Sequence, residues 1–285
     1  MTTYAVTGAT GSLGRLAVEA LLASDGVTPS EVIAVVRDAA KAQPLADSGV
    51  TVRVADYDDP ATLTTALTGV DRLLLVSGSE IGKRVAQHTN VIEAAVAAGV
   101  GILAYTSILN AETSTLQIAA EHQATEKLLA SSGLTVILLR NGWYSENYTG
   151  GLAHTVAGGV FYGTGAGGRV APAARADYAR AAVAALIDGT PRAYELAGPQ
   201  HLTYPDIAAV VAEVSGSPVR YQDVSEADYA ANLVAVGVPQ PVAEVLADAD
   251  HGVSRGELDS TSTDLTDLIG NDLVPFAEVV RTALG

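Results

Sequence analysis

Six short, nearly unbroken apolar runs punctuate the first half of the chain, at residues 4–7, 31–36, 51–54, 71–76, 101–106 and 134–140. They are rich in Val, Ile and Leu and alternate little between apolar and polar positions, the pattern of strands covered on both faces. Between them lie stretches with helical spacing: residues 13–23, where Leu16, Ala20 and Ala23 share a face, then 39–47, 60–67, 83–98 and 114–131. Strands alternating with helices of this length predict right-handed βαβ units and hence a parallel sheet. The expected fold class is α/β, with a doubly wound parallel sheet.

After residue 140 the regularity weakens. Residues 157–168 (AGGVFYGTGAGG) are half glycine and are expected to form a loop or tight turns, a mobile segment over a cleft. Beyond them, helices are predicted near 176–187, 204–215, 226–236 and 239–249, with short strands near 193–196 and 219–222. This suggests a first domain over 1–150 and a smaller, mostly α C-terminal lobe over 151–285, partly interleaved with the first. A length of 285 residues suits one large domain carrying such a lobe.

Composition narrows the function. The net charge of −16, from 32 acidic and 16 basic residues, repels phosphate backbones and argues against nucleic acid as a partner. The chain has no cysteine, which excludes disulfides, thiolate metal sites and cysteine nucleophiles. The five histidines show no ligand spacing, so no metal is expected. There is no signal-peptide pattern and no apolar run near the ~20 residues that span a bilayer. A cytoplasmic protein without a membrane span is expected; whether it forms a homo-oligomer stays open.

The most specific local signal is residues 7–14 (TGATGSLG), between the first strand and the first helix. Gly8, Gly11 and Gly14 allow a sharp turn and a close backbone approach, and Thr10, Ser12 and Leu13 complete the turn. The N–H groups and positive end of the helix then suit the pyrophosphate of a dinucleotide. With a strand before and a helix after, the context is that of a Rossmann-like nucleotide site. The second strand ends in Arg37, whose guanidinium fits the 2′-phosphate of NADPH, with Lys41 one turn on. Asp38 next to it reads as the N-cap of the following helix, although an acid there also suits the ribose of NADH. NADPH is therefore the favoured cofactor, with NADH open. Asp56 and Tyr57 after the third strand, and Ser77, Gly78 and Ser79 after the fourth, fall where open α/β sheets bind ligands.

These segments, together with residues 55–60 (ADYDDP), 104–111 (AYTSILNA), 121–133 (EHQATEKLLASSG) and 138–148 (LLRNGWYSENY), resemble the NmrA-like branch of the atypical short-chain dehydrogenases. Within it they are most similar to the flavin-free, type 2 NAD(P)H:quinone oxidoreductases of bacteria. Residues 174–179, 194–198 and 224–231 extend the likeness to nearly the whole chain. The resemblance implies a Rossmann-like NADPH domain, a small C-terminal lobe, and two-electron reduction of quinones in the cleft between them, without flavin or metal.

The chain departs from ordinary short-chain dehydrogenases, whose Tyr-x-x-x-Lys pair protonates a carbonyl. Gln123 stands four residues before Lys127, so that relay is missing and alcohol dehydrogenation is disfavoured. A quinone tolerates the loss because it is already a strong hydride acceptor and mainly needs positioning. Asn141 as an oxyanion donor, Gly142 for close approach, and Trp143 and Tyr144 as an aromatic wall follow the sixth strand. Lys127 is a candidate for the nicotinamide ribose, and Arg175 for a cofactor contact from the second lobe. The rival expectation is a dinucleotide-binding redox sensor that does not turn its cofactor over; another conjugated carbonyl as substrate is a third.

Overall fold

A computed structural model describes residues Met1 to Gly285. The chain runs through β1 (Tyr4–Thr7), α1 (Ser12–Leu22), β2 (Val32–Val36), α2 (Gln43–Asp47), β3 (Thr51–Val54), α3 (Pro60–Ala66), β4 (Arg72–Leu75) and α4 (Arg84–Ala98). Next come β5 (Ile102–Ile108), α5 (Ala119–Ser131), β6 (Thr135–Asn141), α6 (Leu152–Gly158), β7 (Val160–Gly163), α7 (Arg175–Asp188) and β8 (Ala193–Leu196). The remainder comprises α8 (Tyr204–Ser215), β9 (Arg220–Asp223), α9 (Glu226–Ala235), α10 (Gln240–Gly252), α11 (Asp264–Ile269) and α12 (Phe276–Leu284). No helix is long and apolar enough to cross a membrane.

Seven strands form one sheet in the order β3-β2-β1-β4-β5-β6-β8, and the pairings from β3 through β6 are all parallel. The α/β class and the doubly wound, Rossmann-like sheet expected from the apolar runs are what the structure has. The strand order reverses between β1 and β4, which puts a crevice at their carboxyl ends. Residues of β1 and β2 are buried throughout, as strands covered on both faces must be. Helix α1 packs against α7, and both bury small residues, Gly14 and Ala17 on one and Ala179, Ala182 and Ala185 on the other. Arg72, opening β4, donates through Nη1 to the Leu186 carbonyl at 2.6 Å and to that of Ile187, satisfying acceptors that the end of α7 leaves open.

Two compact units are present, and neither is one continuous stretch. The first is Met1–Ile108, Glu121–Asn141 and Arg175–Tyr194; the second is Leu109–Ala120, Gly142–Ala174 and Glu195–Gly285. In the second unit β7 pairs in parallel with β9. Tyr148, Phe161, Tyr204, Tyr221 and Phe276 pack there ring against ring. Asp250 accepts from the Thr164 N–H at 2.6 Å, the Thr164 hydroxyl at 2.8 Å and the Tyr204 hydroxyl at 2.5 Å, which is how a buried carboxyl is tolerated.

Two local expectations are corrected. The glycine-rich segment 157–168 is not simply a loop: it holds the end of α6 and all of β7. A Cβ at Gly163 would lie 2.4 Å from the Tyr204 ring, and one at Gly168 would lie 2.0 Å from the Val253 carbonyl oxygen. Glycine makes room there for a ring and a backbone. The helix expected over 114–131 begins only at Ala119. Upstream, the Ser114 hydroxyl and Thr115 N–H donate to Glu257 at 2.7 and 2.8 Å, and the Gln117 N–H donates to Asp248 at 2.7 Å. Those bonds hold 114–117 outside the helix.

A buried polar chain behind β4 fixes the connection to α4. The Gly78 N–H donates to His88 Nε2 at 3.0 Å, so the imidazole proton sits on Nδ1, which donates to Thr125 Oγ1 at 2.9 Å. Thr125 Oγ1 in turn donates to the Glu121 carbonyl at 2.8 Å. Arg84 Nε donates to the Gly78 carbonyl at 2.7 Å and pairs with Glu121 at 3.2 Å. The Tyr105 hydroxyl and His122 Nδ1 are hydrogen-bonded at 2.7 Å. Burial, with the Arg84 charge adding to it, holds His88 down at about 3, and burial holds His122 well below the ordinary imidazole range.

Two outcomes are expected. Gly163→Ala costs about 1–3 kcal/mol in urea unfolding through overpacking; a glycine in a mobile loop would instead tolerate alanine or gain up to about 1 kcal/mol. Stability also falls with acid in a defined window. The unfolded chain protonates these histidines near the ordinary imidazole value of about 6.5, whereas folded His88 resists protonation down to about 3. The unfolded state therefore binds more protons between those values, and stability is greatest above the upper one and declines toward the lower. Urea midpoints that stay level from about pH 7.5 to about pH 5 contradict this.

Candidate dinucleotide site

The turn after β1 is built by backbone geometry. Gly8 has φ +59°, in the left-handed region, and its carbonyl accepts from the Gly11 N–H at 2.8 Å. A Cβ at Gly14 would lie 2.3 Å from the Gly8 oxygen, so α1 can start this close to the strand only with glycine there. Gly11 caps α1 without a side-chain acceptor, and the first turn carries no acid. The amide end of the helix thus has no anion of its own, which is the form of an anion-binding terminus.

This turn opens into a cavity of about 470 Å³ within the first unit. Gly8, Thr10, Gly11, Ser12, Leu13 and Gly14 form one wall; Arg37 and Lys41 stand at the end of β2. Asp56 and Tyr57 after β3, and Ser77, Gly78 and Ser79 after β4, complete the polar lining. Asp38 accepts from the Ala40 N–H at 2.9 Å and so acts as the expected helix cap. The Tyr57 hydroxyl lies 2.6 Å from Thr7 Oγ1 and 2.9 Å from the Val76 carbonyl, tying three strand ends together. Burial pushes this phenol well above its ordinary value, so it stays protonated. The Ser77 N–H donates to Thr106 Oγ1 at 2.8 Å. Apolar Val35, Val36 and Val76 beside glycine backbone and two cations suit an adenosine with phosphates.

The lining also contains Glu80 and Gln87, which sequence reasoning did not single out. A signal existed. Arg84, Gln87 and His88 are polar residues at i, i+3 and i+4, and all three are buried.

The other expected site residues stand outside this cavity. In the first unit, Asn141 ends β6 and is buried, and Arg175 opens α7. Lys127 is exposed on α5, while Glu126 beside it accepts from the Ser107 hydroxyl at 2.5 Å and pairs with Arg140 at 2.7 Å. In the second unit, the Gly142 N–H donates to the Leu196 carbonyl at 2.7 Å. Trp143 and Tyr144 are half-buried and run beside Ala173, whose N–H donates to the Trp143 carbonyl at 3.2 Å.

The chain is similar over its length to known proteins. Quinone oxidoreductase 2 of Escherichia coli strain K12 is 50% identical over 278 residues, covering 97% of this chain and 96% of that one. The crystal structure of an NADPH-dependent quinone oxidoreductase from Escherichia coli complexed with NADPH matches with a TM-score of 0.95 at 49% identity, covering 99% of this chain and 100% of the other. The triphenylmethane reductase of Citrobacter sp. complexed with NADP(H) matches with a TM-score of 0.93 at 38% identity, covering 99% and 100%. Residues 8–189 match the NAD(P)H-binding family. With its glycine turn at the switch point of a parallel sheet, the chain belongs to the NAD(P)H-binding family.

Proposed function

We propose that this protein is an NADPH-dependent quinone reductase acting by direct two-electron transfer. The observation that carries the reading is the uncapped α1 terminus opening into a cavity whose far side presents Arg37 and Lys41. The 50% identity with the Escherichia coli quinone oxidoreductase supports the choice of acceptor.

Each residue group then has a task. The α1 amides hold the pyrophosphate, and the Arg37 guanidinium takes the 2′-phosphate, with Lys41 adding positive charge. Tyr57, kept neutral, walls the adenosine side, and the Ser77–Gly78 backbone is held rigid from behind by His88 and Arg84. The cofactor, when bound, supplies the hydride that, with one proton, turns a quinone into a hydroquinone. The chain's own work is to position the acceptor. Asn141 donates to the quinone oxygen, Gly142 allows close approach, and Trp143 and Tyr144 face its ring. Lys127 and Arg175 are proposed as contacts toward the nicotinamide end, from α5 and the start of α7. Support for an enzyme that needs no carbonyl-protonating pair comes from α5, which carries Gln123 four residues before Lys127 and buries His122 and Thr125 beside them.

Purified protein mixed with NADPH and a panel of small quinones is expected to consume the reduced-nicotinamide absorbance. Tight NADPH binding with no turnover of any quinone sinks the enzyme reading and leaves the redox sensor. Arg37→Ala is expected to raise the KM for NADPH by roughly 10- to 100-fold, the value of a charge-assisted phosphate contact, with little change for NADH. An NADPH preference that survives the substitution removes Arg37 from the role.

A further inference from the structure

The cation assigned to the 2′-phosphate already has an anionic neighbour. Glu80, in the connection between β4 and α4, places Oε1 3.2 Å from Arg37 Nη1. Its second oxygen, Oε2, lies 3.1 Å from Lys83 Nζ. Arg37 and Glu80 come from different strand ends and both line the dinucleotide cavity. Hydrogen bonding from Lys83 and Gln87, then the charge of Lys83, holds the Glu80 carboxyl below its usual range. It is ionised wherever the protein is folded near neutral pH.

An exposed ion pair of this kind adds little to stability. Its importance lies in where it sits. A phosphate dianion and a carboxylate placed on the same guanidinium repel each other, so one must move as the other arrives. Glu80 has somewhere to go, because Lys83 already holds its other oxygen. NADH carries no group for Arg37, and its binding leaves the pair undisturbed.

We propose that Glu80 is a specificity-determining residue, an internal anion that competes with the 2′-phosphate of NADPH for Arg37 and so narrows the preference for NADPH over NADH. This rests on the NADPH reading of the cavity. Glu80 acts against one ligand group only. A carboxylate acting as a clamp over any bound dinucleotide would instead strengthen both cofactors.

The test is direct binding by titration calorimetry, on the full chain, with NADPH, NADH and 2′,5′-ADP, which has the phosphate but no nicotinamide. Wild type, Glu80→Gln, Arg37→Ala and the double variant form a cycle. Glu80→Gln is expected to tighten NADPH and 2′,5′-ADP by roughly two- to fivefold at low ionic strength, the range for breaking one exposed pair, and to leave NADH unchanged. The gain shrinks with added salt and vanishes in the Arg37→Ala background. The proposal is overturned by unchanged or weaker NADPH binding in Glu80→Gln, by equal tightening of both cofactors, or by a gain that persists without Arg37. If wild type binds no dinucleotide at all, the NADPH reading itself fails and takes this one with it; wild-type binding that Glu80→Gln does not alter defeats the Glu80 role alone.

Discussion

The contact between the Gly14 backbone and the Gly8 carbonyl governs the geometry of the nucleotide site. Because no side chain separates them, α1 begins directly above the end of β1, and its amide end points along the crevice where the strand order reverses. A single methyl group at position 14 would push the helix away from the strand end. The uncapped helix terminus proposed to hold the phosphates, its distance from Arg37 and the depth of the cavity all depend on that approach. The small residues along the buried faces of α1 and α7 serve the same end, keeping the helix seated on the sheet.

The opposite wall of the cavity is held by different means. There the strand ends pass into loops, and side chains take over from backbone ladders. Tyr57 bridges the ends of β1 and β4, while His88 and Arg84 bind the N–H and carbonyl of Gly78 from the far side. Each of these polar groups is hydrogen-bonded, and burial keeps Tyr57 and His88 uncharged near neutral pH. A wall made this way is rigid near neutral pH without regular secondary structure. It leaves the ligand-facing atoms of Ser77 to Ser79 displayed at fixed positions.

Much of the fold was readable in the chain because parallel strands buried on both faces leave a simple mark. The runs at 4–7, 51–54 and 134–140 matched β1, β3 and β6 closely, and TGATGSLG was found where β1 meets α1. What escaped had a common cause: it depended on partners distant in sequence. The glycines of 157–168 look like loop chemistry until Tyr204 and Val253 are brought against them. The helix that should have begun at 114 is stopped by Glu257 and Asp248, more than a hundred residues away. The cavity wall was legible in part. Its strand-end residues follow from topology, whereas Glu80 enters from a loop that no local pattern orients, and Gln87 from a helix face marked only by the polar spacing of Arg84, Gln87 and His88. The segment from Asn141 to Tyr144 and the residues Lys127 and Arg175 carry an assignment that rests on chain position and likeness.

Asp38 brings the same geometry into the question of how cofactor choice can change. Its carboxylate is engaged at the start of a helical turn, accepting from the Ala40 amide. The acid that looks best placed to grip the ribose diol of NADH is therefore committed to local architecture. On the role proposed for the arginine beside it, deleting that arginine would produce a weaker NADPH site rather than an NADH site. A lineage moving toward NADH would have to re-cap that turn before the carboxylate could be redeployed, so the two cofactor preferences are separated by a structural step as well as an electrostatic one.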